Sequence, residues 1–287
     1  MKDYTIFTET TADLDPAVNA TGAVRMIEMS MNVGDDASFY TAKESDEEIK
    51  KLYAAMRAGK SVKTSRISPY VYELNFAPAM EQGDVIYLSF SSGMSPAYVS
   101  TGEIADKYES VYPDTRLFTV DSRSGTGGMG IMLEKMLSNK AAGMSAAENV
   151  ADIEQFKKRV DMLAFVEDLN FLKRGGRISP TSAAIGAFLN IKPIIRITEE
   201  GKLEVFFKCK GEMKAVKFIS DIFTEEFDPQ SDAPVYILHA DNEKAANLLA
   251  AKVSEAFPSA KVKSMLLSPV IGTHLGPGAV VICYVKK

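Results

Sequence analysis

Apolar runs of strand length alternate with longer amphipathic stretches along the 287-residue chain, and this alternation restricts the fold more than any other feature. YTIFT, AVRMIEMSMNV, DVIYLSF and RLFTV read as strands in the first half; MLAFVED, KPIIRIT, KLEVFFK, PVYILHA, KVKSMLL and AVVICYV do so in the second. Helical stretches fill the intervals. SDEEIKKLYAAMRAG carries a capping box from Ser45 and Glu48, with Gly59 as its stop. Regular strand–helix alternation predicts a parallel sheet up to the charged helix AAENVADIEQFKKRV. Beyond it, KPIIRITEEGKLEVFFK reads as a hairpin closed by Glu200 and Gly201, so the second half should hold a mixed sheet. The expectation is a two-domain α/β fold: an N-terminal, Rossmann-like parallel-sheet domain at 1–158 and a C-terminal mixed-sheet domain at 159–287, with any ligand at the junction.

Bulk chemistry removes several function classes. A hydrophobic content of 46% suffices for real cores, and a net charge of -5 argues against a nucleic-acid surface. Two cysteines, Cys209 and Cys283, give neither a disulfide framework nor a metal spacing, which suits a reduced, cytoplasmic protein. The first residues lack the apolar core of a signal peptide, and no apolar run approaches the roughly 18 residues of a membrane span. No metal ligand set, cofactor or catalytic residue is expected. GxxxxGK[ST], HExxH and GxSxG are all missing.

Four polar loops at strand ends hold the candidate chemistry. In LSFSSGMSPAYVS the strand gives way to Ser91 and Ser92 before a helix that Ser95 caps and Pro96 opens. Ligands of open α/β sheets bind at such carboxyl ends. In SVKTSRISPY, Thr64 and Ser65 precede a similar start at Ser68 and Pro69, although such hydroxyls ordinarily serve turns and caps. VIGTHLGPGAVVI sets His274 among glycines that let backbone approach something closely; His239, ending an apolar strand, reads as structural. In LNFLKRGGRIS, Arg177 follows Gly175 and Gly176 and has the planar fork that suits a carboxylate or phosphate, the ordinary alternative being a structural ion pair. Lys173 and Arg174 read as helix-end cations.

One further motif is a decoy. GTGGMG from Gly125 to Gly130 satisfies GxGxxG, yet Asp121 to Ser124 separate it from the preceding strand, whereas a pyrophosphate turn needs the glycines in the tight strand-to-helix connection. Close helix packing is the expected reason for these glycines, with Ser122 or Ser124 as cap. A serine hydrolase using Ser92 and His274 is the alternative function, although no nucleophile elbow is present.

Thr64-Ser65, SFSSGMSPAY, VDS, LKRGGRIS, LNIKPII, GKLEVFFKCKG and IGTHLGPGA occur in an order that resembles the DegV family over nearly the whole chain. That family comprises bacterial fatty-acid-binding proteins, some of them lipid-presenting subunits of a fatty acid kinase. The resemblance implies a long acyl chain buried at the domain junction, its carboxylate held by hydroxyls at Thr64 and Ser92 with His274 nearby. Ser65 and Ser91 are the neighbouring donors of the two loops. Arg177, with Gly176 before it and Lys210 beyond the hairpin, is implied to face the headgroup or a kinase partner. Three departures from the family pattern stand out: Glu9-Thr10 for an early Asp-Ser, Arg66 for a glutamine, and Lys210 for an arginine.

Overall fold

The computed structural model describes residues 3–34, 36–40, 45–178 and 190–287, with residues 36–40 as backbone only. Strands in the first half are β1 (Tyr4–Glu9), β2 (Val24–Ile27), β3 (Met29–Val33), β4 (Asp36–Tyr40), β5 (Val62–Thr64), β6 (Asp84–Ser89) and β7 (Leu117–Asp121). The second half contributes β8 (Val160–Phe165), β9 (Ile191–Ile197), β10 (Leu203–Lys210), β11 (Val235–His239), β12 (Val262–Leu266) and β13 (Val280–Val285). The helices are α1 (Pro16–Asn19), α2 (Asp46–Arg57), α3 (Pro69–Met80), α4 (Ala97–Val111), α5 (Thr126–Ala141), α6 (Ala146–Phe156), α7 (Asn170–Arg174), α8 (Glu212–Glu226), α9 (Glu243–Ala256) and α10 (Pro269–Leu275).

The first half builds a parallel sheet in the order β2-β1-β6-β7. The second builds a six-stranded sheet, β10-β9-β8-β13-β11-β12, in which β11 and β12 pair in parallel and the other neighbours run antiparallel. Both sheets are covered on two faces. Alternate residues of β1 and β6 therefore divide, with Phe7 and Tyr87 packing under α3 and α4 while Ile6 and Ile86 face inward. In the larger sheet Leu163 and Phe165 meet α8 and α9, and Met162 and Ala164 face the first half. A single apolar cluster thus runs through both halves, from Ile6 through Met132 to Val281.

Helix α5 occupies the middle of that cluster. Its first half, Thr126 to Leu133, is buried on all sides, so it lacks an exposed polar stripe there and its small residues set how closely the flanking sheets approach. A Cβ at Gly127 would lie 2.6 Å from Cβ of Tyr236, and one at Gly130 would lie 2.3 Å from the Asp13 carbonyl. Close packing explains the GTGGMG run. Neither serine caps the helix, however: its N-cap is Gly125, and the Ser122 hydroxyl donates to the Ser124 carbonyl instead.

Some sequence expectations change in detail. AVRMIEMSMNV is not one strand, because the Met29 N–H is taken by the Thr10 hydroxyl at 3.1 Å and the chain leaves the parallel sheet after Ile27. Strand β3 instead centres a small antiparallel sheet, β4-β3-β5, whose last strand ends at Thr64. Ser95 does not cap α4; Pro96 holds that position, and Ser95 only accepts from the Ala97 N–H. Ser45–Glu48 and Ser68 do cap α2 and α3, and Gly59 follows α2 with φ 89°. Among the described residues no helix is long and apolar enough to cross a membrane, and no group of acidic, cysteine and histidine side chains could hold a metal.

Candidate functional site

The carboxyl ends of β1 and β6, the end of β5 and the first turn of α5 converge with α7, β10 and α10 on one narrow cavity that opens to solvent. Its walls are mostly apolar. Met29, Phe90, Met94, Met162, Leu172 and Leu203 supply much of that surface, and Thr64, Ser65, Arg66, Ser95, Arg177 and His274 supply the polar part.

The LKRGGR segment shows how local sequence places one of these groups. Gly176 has φ 71°, its N–H reaches the Lys173 carbonyl, and the Arg177 N–H reaches that of Leu172. This is the left-handed helix ending that glycine favours, and it closes α7 just before Arg177. Gly175 has a different task. A Cβ there would sit 2.3 Å from Nδ1 of His274, so only glycine lets α10 bring the imidazole against α7. The half-buried Arg177 guanidinium donates to the Gly175 carbonyl, and among the described residues no carboxylate pairs with it. Burial lowers its pKa from the ordinary value. A partly desolvated cation with no carboxylate partner among the described residues, beside an apolar cavity, suits an anionic ligand group.

His274 Nε2 lies 2.9 Å from the Thr64 hydroxyl. Burial, with the Arg177 charge as a smaller contribution, lowers the imidazole pKa to about 4, so it is neutral near pH 7. When Nε2 carries the proton it donates to Thr64, which leaves the Thr64 hydroxyl proton free for a ligand. Helix α10 is itself fixed at its start. The Ser268 N–H donates to Asp13 Oδ1 at 2.9 Å, and the Tyr53 hydroxyl donates to the Leu267 carbonyl at 2.8 Å. Burial raises the Asp13 pKa to about 6 despite its hydrogen bonds from Ser268 and Thr126. The other Asp13 oxygen accepts from Thr126, which lines the cavity with φ 47°, a left-handed conformation unusual for a β-branched residue.

Thr64, Ser65, Arg177 and His274 therefore meet at one cavity. Ser91 and Ser92 do not join them. The buried Ser91 hydroxyl donates to the Gly201 carbonyl at 2.7 Å, and Gly93 leaves no room for a side chain against Glu200. Ser92 donates to Asp121 at 2.5 Å. The SSG loop thus fastens the β9–β10 turn and the end of β7, a role its sequence does not distinguish from ligand binding. Ser95 takes the expected place on the wall. Its position four residues after Ser91, at the mouth of a helix, was the available signal, and its apparent role as a cap concealed it. With Ser92 held by Asp121 and His274 by Thr64, the nucleophile–base pair of a serine hydrolase is not formed.

Other candidates stand apart. Lys210 is exposed at the end of β10, outside the cavity wall, and Gly176 acts through backbone conformation. Glu9, the early acid that departs from the family pattern, is fully buried and accepts from Tyr72, Tyr87 and the Phe90 N–H; burial raises its pKa. His239 accepts from the Asn242 N–H at 3.2 Å, as a structural histidine would. The tail of LKRGGRIS from Ser179 and the start of LNIKPII at Leu189 lie outside the described residues.

Comparison with known proteins places the whole chain in one family. The sequence pattern defining the DegV family, described as uncharacterised proteins, matches residues 3–287. The DegV domain-containing protein CPE0026 of Clostridium perfringens is 29% identical over 99% of this chain and 98% of its own. A fatty-acid-binding DegV family protein of Thermus thermophilus superposes with a TM-score of 0.85 at 26% identity, covering 99% of this chain and 100% of that one. The Streptococcus pneumoniae Fatty Acid Kinase (Fak) B3 protein, loaded with linoleic acid, superposes with a TM-score of 0.86 at 22% identity, covering 99% of each chain. The chain belongs to the DegV family.

Proposed function

We propose that the protein binds one long-chain fatty acid at the junction of residues 1–158 and 159–287, with the tail in the apolar cavity and the carboxylate at Thr64, His274 and Arg177. The observation that carries this reading is the pairing of an apolar wall with a polar end in which a neutral histidine, a hydroxyl and a half-buried arginine meet. Burying about 14 methylenes at roughly 0.8 kcal/mol each gives on the order of 11 kcal/mol before ordering costs, enough for tight binding. The methionines of the wall, Met29, Met94 and Met162, suit a flexible chain because an unbranched thioether adapts to its neighbour.

In this reading the protein is a carrier and performs no chemistry alone, and the two free, buried cysteines suit the reducing cytoplasm. Support for a kinase as recipient comes from the likeness to the Fak B3 protein and from Arg177, whose fork can accept added phosphate at the cavity mouth. Native mass spectrometry of the purified protein, before and after solvent extraction and refilling with palmitate, tests the carrier role. A lipid-mass adduct that is lost and restored is expected; a chain that neither carries nor takes up fatty acid overturns the reading. Arg177→Ala should keep palmitate affinity within about tenfold, or roughly 1.4 kcal/mol, while acyl phosphate formation with a fatty acid kinase falls further.

A further inference from the structure

One buried carboxylate outside the cavity holds three pieces of its wall. Asp13, in the loop after β1, is 7% exposed and does not itself line the cavity. Its backbone fastens that loop to the start of α5: the Asp13 N–H donates to the Thr126 carbonyl at 3.2 Å, and the Thr126 N–H donates to that of Thr11 at 2.8 Å. Its side chain reaches two ways. Oδ2 accepts from the Thr126 hydroxyl, and Oδ1 accepts at 2.9 Å from the N–H of Ser268, the N-cap of α10. The Ser268 hydroxyl adds a longer bond of 3.4 Å to the Thr10 carbonyl. Thr11, Thr126 and, on α10, Ile271 and His274 all face the cavity. Every segment that Asp13 joins is therefore a wall of the site, the first two from the first half of the chain and α10 from the second.

Packing alone does not account for this residue. Among the described residues no lysine or arginine pairs with Asp13, so its burial is offset only by the donors that reach it. Ser268 gives α10 no side-chain cap, and the entry to that helix is held from outside, by Asp13 and by the Tyr53 hydroxyl on the Leu267 carbonyl. The same short helix brings His274 to within 2.9 Å of the Thr64 hydroxyl. We propose that Asp13 is a positioning residue of the ligand site: through Thr126 and Ser268 it sets where the first turn of α5 and helix α10 stand, and so whether His274 meets Thr64 at a ligand's acid group. The proposal rests on the reading that an acid headgroup sits at Thr64, His274 and Arg177, and it adds a residue that touches no ligand yet governs that end of the cavity. Hydrogen-bond geometry carries the effect, so an uncharged side chain of the same shape should serve. Asparagine can accept from the Ser268 N–H and donate to the Thr126 hydroxyl oxygen. Alanine leaves that N–H and that hydroxyl without their buried acceptor.

Histidine NMR on delipidated protein, together with palmitate calorimetry, tests this. The chain has two histidines, so His239 serves as an internal reference for His274. In Asp13→Ala the His274 ring signals should move and its titration should rise from about 4 towards the ordinary value of about 6.5, with His239 unchanged. Palmitate affinity should fall about tenfold or more. Asp13→Asn should restore both, with affinity within about threefold of the wild type. Ser268→Pro removes the donated N–H at a φ of -58°, which proline adopts, and should reproduce the alanine result with Asp13 intact. A residue that only stabilises the fold would lower the melting midpoint of Asp13→Ala while leaving the His274 signals and the palmitate affinity of the folded protein as they are, and that outcome overturns the proposal. So does a folded Asp13→Asn that behaves like Asp13→Ala. If the wild-type protein takes up no palmitate but the His274 signals move as expected, the fatty acid reading fails and Asp13 keeps its hold on His274; if palmitate binds and the signals stay, the reverse holds.

Discussion

Two loops of this protein look alike in sequence and do different work. SVKTSRISP and SFSSGMSP each place two hydroxyl residues ahead of a Ser-Pro helix start. In the first, Thr64 ends an edge strand of the small sheet and turns its hydroxyl to His274 at the cavity. In the second, Ser91 and Ser92 are spent on Gly201 and Asp121, and only the later Ser95 reaches the cavity. The difference comes from what each loop is packed against. Loop 91–93 lies under the β9–β10 turn, whose carbonyls need donors, whereas Thr64 faces a buried imidazole and open space. Hydroxyls are assigned to ligand or scaffold by the polar groups left unsatisfied nearby, not by their own loop.

The sharpest way to break this contrast is to wedge α10 away from α7. Gly175→Val places a Cβ 2.3 Å from His274 Nδ1, so fatty acid affinity and stability should each fall by about 3 kcal/mol, read by calorimetry and thermal melting. Unchanged affinity would mean that His274 does not act through its present position. Next in size, Thr64→Val should weaken palmitate binding by about 1 to 3 kcal/mol, since a buried carboxylate loses a donor. Ser92→Ala should change it less than threefold. Equal losses in these two variants would erase the distinction between the loops.

Acid provides a third probe, of about 2 kcal/mol. Because the folded imidazole titrates at about 4 and the unfolded one near 6.5, the unfolded chain binds the proton first as pH falls. Stability from neutral His274 is complete above pH 6.5 and is lost as pH falls towards 4. Asp13 has the opposite sign, since its raised value of about 6 means that its burial cost is relieved by protonation. Comparison with His274→Gln isolates the histidine: the variant should gain about 2 kcal/mol on the wild type between pH 7.5 and 4.5 in denaturant titrations. Parallel curves would show an imidazole that titrates normally. The smallest effect belongs to the second loop, where Ser91→Ala should lower stability by about 1 kcal/mol while fatty acid affinity stays the same.

Much of the architecture was legible locally. Strand runs, capping boxes and the Gly176 helix ending depend on neighbours within a few residues, so the sequence carries their signal. The strand break at Glu28 was not legible, because the group that diverts the Met29 N–H, Thr10, is remote in sequence. Of the proposed polar end, Thr64, Arg177 and His274 were named from residue type and loop chemistry. Ser95 was missed and Ser91 and Ser92 were assigned elsewhere by contacts to Gly201 and Asp121, which lie 110 and 29 positions away.

By itself, then, the sequence determined the alternating α/β order, the mixed second sheet and the family, because periodicity and ordered motifs are properties of the chain. Only the tertiary structure decided which hydroxyls meet an arginine and a neutral histidine. It also decided that the two halves share one apolar cluster and that Gly175 must be glycine, because each depends on elements brought together from distant positions and on the exclusion of water between them.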